Sequence, residues 1–261
     1  MIKLAIFGLG EAGSLIAQDL VAAGVAATGY DPKPLATPPG VVRVDSPQSA
    51  VANADIVIAV TPGGDAFRAL EQAFDETPPT ALYADFSTNS ASAKKQLAER
   101  AAARHIAFAD VALMAVVPGK GLRTPVMVSG TGAERFAALF AELGMPVEVV
   151  RGEAGEAATR KLLRSVMMKG LAAVIIESLR AGEAAGCAEW LWENLSGELA
   201  RADEKLIARL VSGTAPHAQR RLHEMECTEA LLRELGVDPL MTHSTVESLR
   251  RVPELGIPNI P

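Results

Sequence analysis

The sequence is poor in several features that would each point to a class of protein. Two cysteines, Cys187 and Cys227, in 261 residues are too few for a disulfide framework, and their separation of 40 matches no zinc-ligand spacing. The four histidines are scattered, with only His217 and His223 close in sequence, so no metal site is expected. Aromatic residues make up 4% of the chain. Positive charge is also short: 25 Lys and Arg against 31 Asp and Glu leave a net charge of −6, without the cationic field that nucleic acid or anionic lipid requires. Long apolar runs are missing. The most hydrophobic stretch, 165–179, is interrupted by Lys169 and Glu177 and falls short of the roughly 20 residues of a membrane span. The apolar N-terminal run is broken by Gly8, Gly10 and Glu11, unlike a secretory signal. From these absences a cytoplasmic protein is expected, with neither nucleic acid nor membrane as partner.

What the chain has in quantity is alanine, 46 residues, within a composition that is 49% hydrophobic and 21% charged, as in ordinary folded proteins. Alanine is the strongest helix former, so many closely packed helices are expected. The first half alternates short apolar runs (3–7, 26–30, 41–44, 56–60, 81–86, 106–110, 126–129 and 147–150) with helical patterns at 13–23, 65–74, 90–103 and 133–143. Strands alternating with helices of this length imply parallel pairing through right-handed crossovers, a doubly wound α/β sheet. After residue 151 the strands stop. Helical periodicity runs from 153 to 186 and resumes at 189–200, 203–212, 218–235 and 241–252, ahead of an extended tail beginning at Pro253. The expected division is a Rossmann-like domain, 1–152, followed by an all-α substrate and dimerisation domain, 153–261.

Directly after the first strand stands Gly8-Leu9-Gly10-Glu11-Ala12-Gly13, a G-x-G-x-x-G turn opening the first helix. In such a turn the first glycine permits a tight bend, the second lets a pyrophosphate approach the backbone, and the third lets helix and strand pack closely. The helix N-terminus then offers unpaired N–H groups and partial positive charge to the phosphates. Asp31 ends the second strand, 18 residues after Gly13, where an acid binds the ribose 2′-hydroxyl and repels a 2′-phosphate. NAD is the expected cofactor, with NADP possible because Lys33 follows two residues later.

With these elements in place, the sequence resembles the β-hydroxyacid dehydrogenases, the group of 3-hydroxyisobutyrate and 6-phosphogluconate dehydrogenases. It is most similar to a sub-group with a short helical C-terminal domain of unknown function. The G-L-G-x-M-G turn of that family stands here with Ala12 in place of Met, and its nicotinamide-side loop resembles Ala59-Val60-Thr61-Pro62. Its D-x-S-T element is Asp85-Phe86-Ser87-Thr88, and its catalytic Lys corresponds to Lys161, after Gly152 and Gly155. Lys169-Gly170 and the stretch 215–221 are shared with the sub-group. The resemblance implies cofactor contacts from Thr61, Pro62, Ser87 and Thr88, and catalysis by Lys161 with Ser165 one turn on; separately, the helical half has little polar exterior pattern around 166–179, and a homodimer is expected from that. Two departures bear on substrate: the family's D-x-P-V-S-G-G loop is Asp110-Val111-Ala112-Leu113-Met114-Ala115-Val116 here, and its Asn four residues past the Lys is Ser165. Substrate contacts are expected from Met114, Lys169, His217 and Arg221, and the Met suits a larger or less polar substrate.

The chemistry implied is hydride transfer between nicotinamide and a hydroxy acid or related alcohol or oxo compound, with Lys161 as general acid/base. Arg160 and Arg164 flank Lys161, as a lowered amine pKa requires. Three alternatives stay open on these residues: an imine reductase of the same fold, an NAD(P)-binding regulatory protein without catalysis, and a helical partner-binding module that binds no dinucleotide. The stripe of His217, Arg220, Arg221, Glu224 and Thr228 reads either as a solvated helix face or as an anion site.

Overall fold

The computed structural model describes residues 2–260. The sequence folds in order through β1 (Lys3–Phe7), α1 (Glu11–Ala22), β2 (Ala26–Tyr30), β3 (Val42–Arg43), α2 (Pro47–Val51) and β4 (Ile56–Ala59). It continues through α3 (Ala66–Ala73), β5 (Leu82–Asp85), α4 (Ala91–Ala102), β6 (Ala107–Leu113), β7 (Val126–Ser129), α5 (Ala133–Glu142) and β8 (Val147–Val149). Five further helices follow: α6 (Glu156–Ala184), α7 (Ala188–Ala200), α8 (Glu204–Ser212), α9 (Ala218–Glu234) and α10 (Leu240–Leu255). The chain forms two compact units, the first ending at Arg164 and the second beginning at Ser165.

In the first unit the eight strands form one sheet in the order β3-β2-β1-β4-β5-β6-β7-β8. The runs Ile56–Ala59 and Leu82–Asp85 are buried at every position, as central strands covered on both faces must be. Strand periodicity sends alternate residues to opposite layers. Leu4, Ile6, Ile56 and Ile58 pack with Ile16 and Leu20 of α1 and with Phe136 and Phe140 of α5. Ala5, Phe7, Val57 and Ala59 pack with Leu70 of α3 and Leu97 of α4 on the other face. The strand order reverses at β1/β4, so the crevice outside the carboxyl ends of those strands is the switch point where α/β sheets bind ligands.

Three details differ from the sequence expectation. β6 runs on through Leu113 and pairs antiparallel with β7, Asp110 opposite Ser129 and Leu113 opposite Val126. The connection between them holds only a 3-10 turn at Gly121–Arg123, and a parallel crossover needs a helix in that place. Asp110 to Leu113 is therefore strand rather than loop. A short helix, α2, forms at Pro47–Val51, its cap the Ser46 hydroxyl accepting from the Ser49 N–H. α10 continues through Pro253 to Leu255 and stops at Gly256, whose φ is 68°. A proline near a helix end forfeits one N–H bond and need not end the helix there.

The second unit contains the remainder of α6 and helices α7–α10. Glu177 of α6 is buried and clasps the start of α10: its Oε2 accepts from Met241 N–H at 2.7 Å, and its Oε1 from Thr242 N–H at 2.8 Å and Thr242 Oγ1 at 2.7 Å. Among the described residues no helix is long and apolar enough to cross a membrane. Burial alone would raise the Glu177 carboxyl pKa, but the three hydrogen bonds outweigh it and hold the group below its ordinary value of 4.5. Its contribution to stability is thus complete above pH 4.5 and lost as the pH falls through the depressed folded-state value. Glu177→Ala is expected to lower stability by about 1–3 kcal/mol at pH 7. Urea unfolding should show that deficit shrinking in acid, and a deficit independent of pH would refute the ionised clasp.

Candidate functional site

β1 delivers Gly8 at a φ of 94°, in the left-handed region that glycine enters without strain. A Cβ on Gly8 would sit 2.3 Å from Val60 O, and one on Gly13 would sit 1.9 Å from Gly8 O. Both glycines are therefore demanded by the protein's own packing. Gly10 is different. It caps α1 with φ −67°, and a Cβ there would meet nothing within 4 Å. Nothing in the protein requires a glycine at that position, whereas a group approaching the helix N-terminus from the cleft would.

That cleft is lined by Gly8, Gly10, Asp31, Thr61, Pro62 and Arg68, with Tyr30 and Lys33, and encloses about 690 Å³ out to its open mouth. Of the turn residues, Leu9 is buried in the core, Ala12 packs against that core, and Glu11 is exposed in the first turn of α1. The Asp31 carboxylate is oriented by two main-chain donors, Leu9 N–H to Oδ2 and Lys33 N–H to Oδ1, each at 2.8 Å. Arg43 fixes the following loop by donating to the carbonyls of Asp31, Lys33 and Leu35. The buried Thr61 Oγ1 in this wall has no hydrogen-bond partner among the described residues. A turn open at Gly10, an oriented carboxylate and an unsatisfied hydroxyl fit a dinucleotide.

A second, smaller depression lies at the carboxyl ends of β5 and β6, lined by Ser87, Thr88, Asn89, Asp110, Lys161 and Leu162. Asn89 Nδ2 donates to Gly63 O at 3.0 Å, which holds this loop against the one containing Thr61 and Pro62. Lys161, half-buried on the second turn of α6, donates from Nζ to Thr88 Oγ1 at 2.8 Å. Arg160 pairs with Glu156 at 2.9 Å. Arg164 donates from Nη1 to Met114 O at 2.9 Å, while Met114 N–H donates to Pro125 O at 2.9 Å. Ser165 lies one turn beyond Lys161 on the same helix.

The first unit thus gathers Gly8, Gly10, Asp31, Thr61 and Pro62 around one cleft, and Ser87, Thr88 and Lys161 around the other, with Met114 tied to α6 by Arg164. Lys169, His217 and Arg221 belong to the second unit. Lys169 and His217 are exposed, and Arg221 Nη1 donates to Thr214 Oγ1 at 2.6 Å. Sequence reasoning missed Arg43, Asn89 and Lys94. Lys94 is wholly buried among Asp85 and Asp110, and its one sequence signal is a place on the stripe of α4 that also buries Leu97 and Ala101. Among the described residues no cluster of His, Cys, Asp and Glu is arranged to hold a metal.

A largely parallel sheet with a glycine turn at its switch point and an acid at the end of β2 defines a nicotinamide dinucleotide-binding fold of the dehydrogenase type. Residues 3–151 match the NAD binding domain of 6-phosphogluconate dehydrogenase, and the chain belongs to that family. Residues 183–252 match a domain of unknown function. The chain is 27% identical over 259 residues to an uncharacterized 28.5 kDa protein of Methanothermus fervidus, covering 97% of this chain and 99% of that one. It is 30% identical over 135 residues to a probable 3-hydroxyisobutyrate dehydrogenase of Mycobacterium tuberculosis, spanning about half of each (50% and 46%). Among solved structures it is similar to an imine reductase of Myxococcus stipitatus in complex with NADP+, with a TM-score of 0.83, 18% identity and coverage of 97% and 95%.

Gly10→Val is expected to leave the melting temperature within about 2 °C of wild type, since its side chain meets open space, while NADH binding by fluorescence titration weakens by at least about tenfold. Gly8→Ala should lower the melting temperature clearly through its clash with Val60 O. Unchanged NADH affinity in Gly10→Val would remove the turn from the binding site.

Proposed function

We propose that this protein is an NAD(P)-dependent oxidoreductase that moves hydride between nicotinamide and a hydroxy acid or related alcohol or oxo compound, with Lys161 as its general acid/base. The observation that carries the reading is the Lys161 Nζ to Thr88 Oγ1 hydrogen bond, in a depression next to the loop that continues from the dinucleotide cleft. Bound nicotinamide supplies or accepts the hydride; every proton movement falls to the protein. In oxidation the Lys161 amine takes the hydroxyl proton, and in reduction its ammonium returns one to the nascent alkoxide. An ordinary lysine, titrating near 10.4, is protonated at pH 7 and serves as a base only when its surroundings disfavour charge. Arg164 follows three residues on along α6, and the Arg160 guanidinium is paired with Glu156. Ser165, one turn beyond Lys161 on α6, is assigned to the substrate. Lys169, His217 and Arg221 are assigned to substrate through the second unit.

NAD is the favoured cofactor, because Asp31 keeps its carboxylate in the cleft wall with both oxygens oriented, and a 2′-phosphate there meets negative charge. Lys33 and Arg68 in the same wall are the groups through which NADP would be admitted. A second reading, reduction of an imine, is favoured by one observation: the main-chain N–H and C=O of Met114 are both taken up internally, so its segment offers little to a carboxylate. The second unit exposes Val166, Met167, Ile176, Trp190 and Trp192, an apolar surface suited to a second copy of the chain in a cytoplasmic homodimer.

A nicotinamide absorbance assay across hydroxy acids, their oxo counterparts and cyclic imines, with both cofactors, tests the reading. NAD-dependent turnover is expected with a hydroxy acid or oxo compound, falling by at least about 10²-fold in Lys161→Ala. Turnover of imines alone would replace the substrate class. Undiminished turnover in the variant would overturn the role of Lys161, and NAD binding without any turnover would favour a regulatory protein. Sedimentation equilibrium is expected to give twice the chain mass, and a monomer would refute the homodimer.

A further inference from the structure

Lys94 touches neither cleft. Its side chain is 1% exposed and points into the first unit from α4. Its ammonium donates to the Asp85 carbonyl at 3.0 Å and to Asp85 Oδ2 at 2.7 Å, and forms an ion pair with Asp110 Oδ1 at 3.1 Å, an oxygen that accepts no hydrogen bond among the described residues. The two carboxylates reach in different directions. Asp85, at the end of β5, holds the next loop by accepting from Ser87 N–H at 3.2 Å and Ser87 Oγ at 2.8 Å. Ser87 Oγ in turn accepts from Asn89 Nδ2 at 3.0 Å, and Thr88 lies between them. Asp110, in β6, holds a helix instead. Its Oδ2 accepts from Gly155 N–H at 2.9 Å, Ala158 N–H at 3.1 Å and Ser129 Oγ at 3.3 Å, at the first turn of α6. Lys161 follows Ala158 by three residues.

One buried ammonium therefore joins the loop that carries Thr88 to the helix that carries Lys161, and the Lys161–Thr88 hydrogen bond closes the ring on its far side. Stability alone is a poor account of such an arrangement, because desolvation of buried ions offsets most of their attraction and apolar replacements of whole clusters are often tolerated. What the ammonium supplies is a junction: two hydrogen bonds to Asp85 and an ion pair with Asp110 at once. We infer that Lys94 is a positioning residue which, through Asp85 and Asp110, sets the approach of Lys161 Nζ to Thr88 Oγ1. The inference rests on the assignment of Lys161 made above, and gains its weight from the sensitivity of proton and hydride transfer to displacements on the order of 1 Å.

The test uses the full chain labelled with [13Cε]lysine, the Lys161 resonance being identified by its loss in Lys161→Arg. In Lys94→Met the Lys161 resonance is expected to move towards those of solvated lysines. With a substrate that the wild type turns over, kcat should fall by at least about tenfold with KM within about threefold. A Lys161 resonance unmoved in Lys94→Met, however far the melting temperature falls, overturns the inference and leaves Lys94 a structural ion. Should Lys94→Met fail to fold, Asp110→Asn decides: it keeps an acceptor for the N–H groups of α6 but removes the charge facing Lys94, and again a displaced resonance supports the inference and an unmoved one overturns it. The resonance is read without substrate, so turnover surviving in Lys161→Ala would sink the acid/base role separately from the positioning.

Discussion

The Asp110 carboxylate, wholly buried in β6, accepts the N–H groups of Gly155 and Ala158, and from that contact follows where the long helix α6 begins. A helix N-terminus presents unpaired donors and partial positive charge, and a buried carboxylate is the strongest local partner for both. The chain meets this requirement at a cramped place. Gly155 has a φ of 104°, and a Cβ there would sit 2.7 Å from Ala91 O, at the start of α4. Only a glycine lets α6 start so close to the helix that provides Lys94. The registration of α6 on the sheet, and with it the height of Lys161 above β5, is set by this one anchored turn.

The glycine motif separates in the same way into what the fold needs and what a ligand needs. Gly8 and Gly13 are consumed by contacts between α1, β1 and the loop after β4, and would be glycines in a protein that bound nothing. Gly10 lines the cleft, and a Cβ there would meet nothing within 4 Å, so contacts among the described residues do not account for it. Thr61 repeats the point from the opposite wall, with a buried hydroxyl that has no partner among the described residues. The fold builds the cradle from packing constraints, and ligand recognition is confined to the few atoms that packing leaves over.

Much of this was legible in the sequence because it is local. The glycine turn, the acid at the end of β2 and the alternation of strands with helices are set by residues within about 30 positions of one another, and backbone sterics translate them directly. The direction of β7 was not read, since a four-residue apolar run carries no sign of its polarity. The signal lay in the connection, where residues 114–125 have no helical pattern to support a parallel crossover. Lys94 was overlooked for a related reason. A lysine on a helix is ordinarily solvated, and its burial is decided by Asp85 and Asp110, which come from two other elements. Glu177 is the same case in the second unit, a charge fixed by a helix start 64 residues away.

The antiparallel pairing of β6 and β7 also bears on what the site recognises. By drawing Asp110 to Leu113 into the sheet, it delays the start of the loop to Met114. The first free segment is then held at both of its main-chain polar groups, Met114 N–H on Pro125 O and Met114 O under Arg164 Nη1. A glycine-rich loop in this place would present N–H donors to a carboxylate. This one has both main-chain polar groups of Met114 taken up internally and is followed by the exposed Val116, so a carboxylate meets fewer main-chain donors here than at a glycine-rich loop.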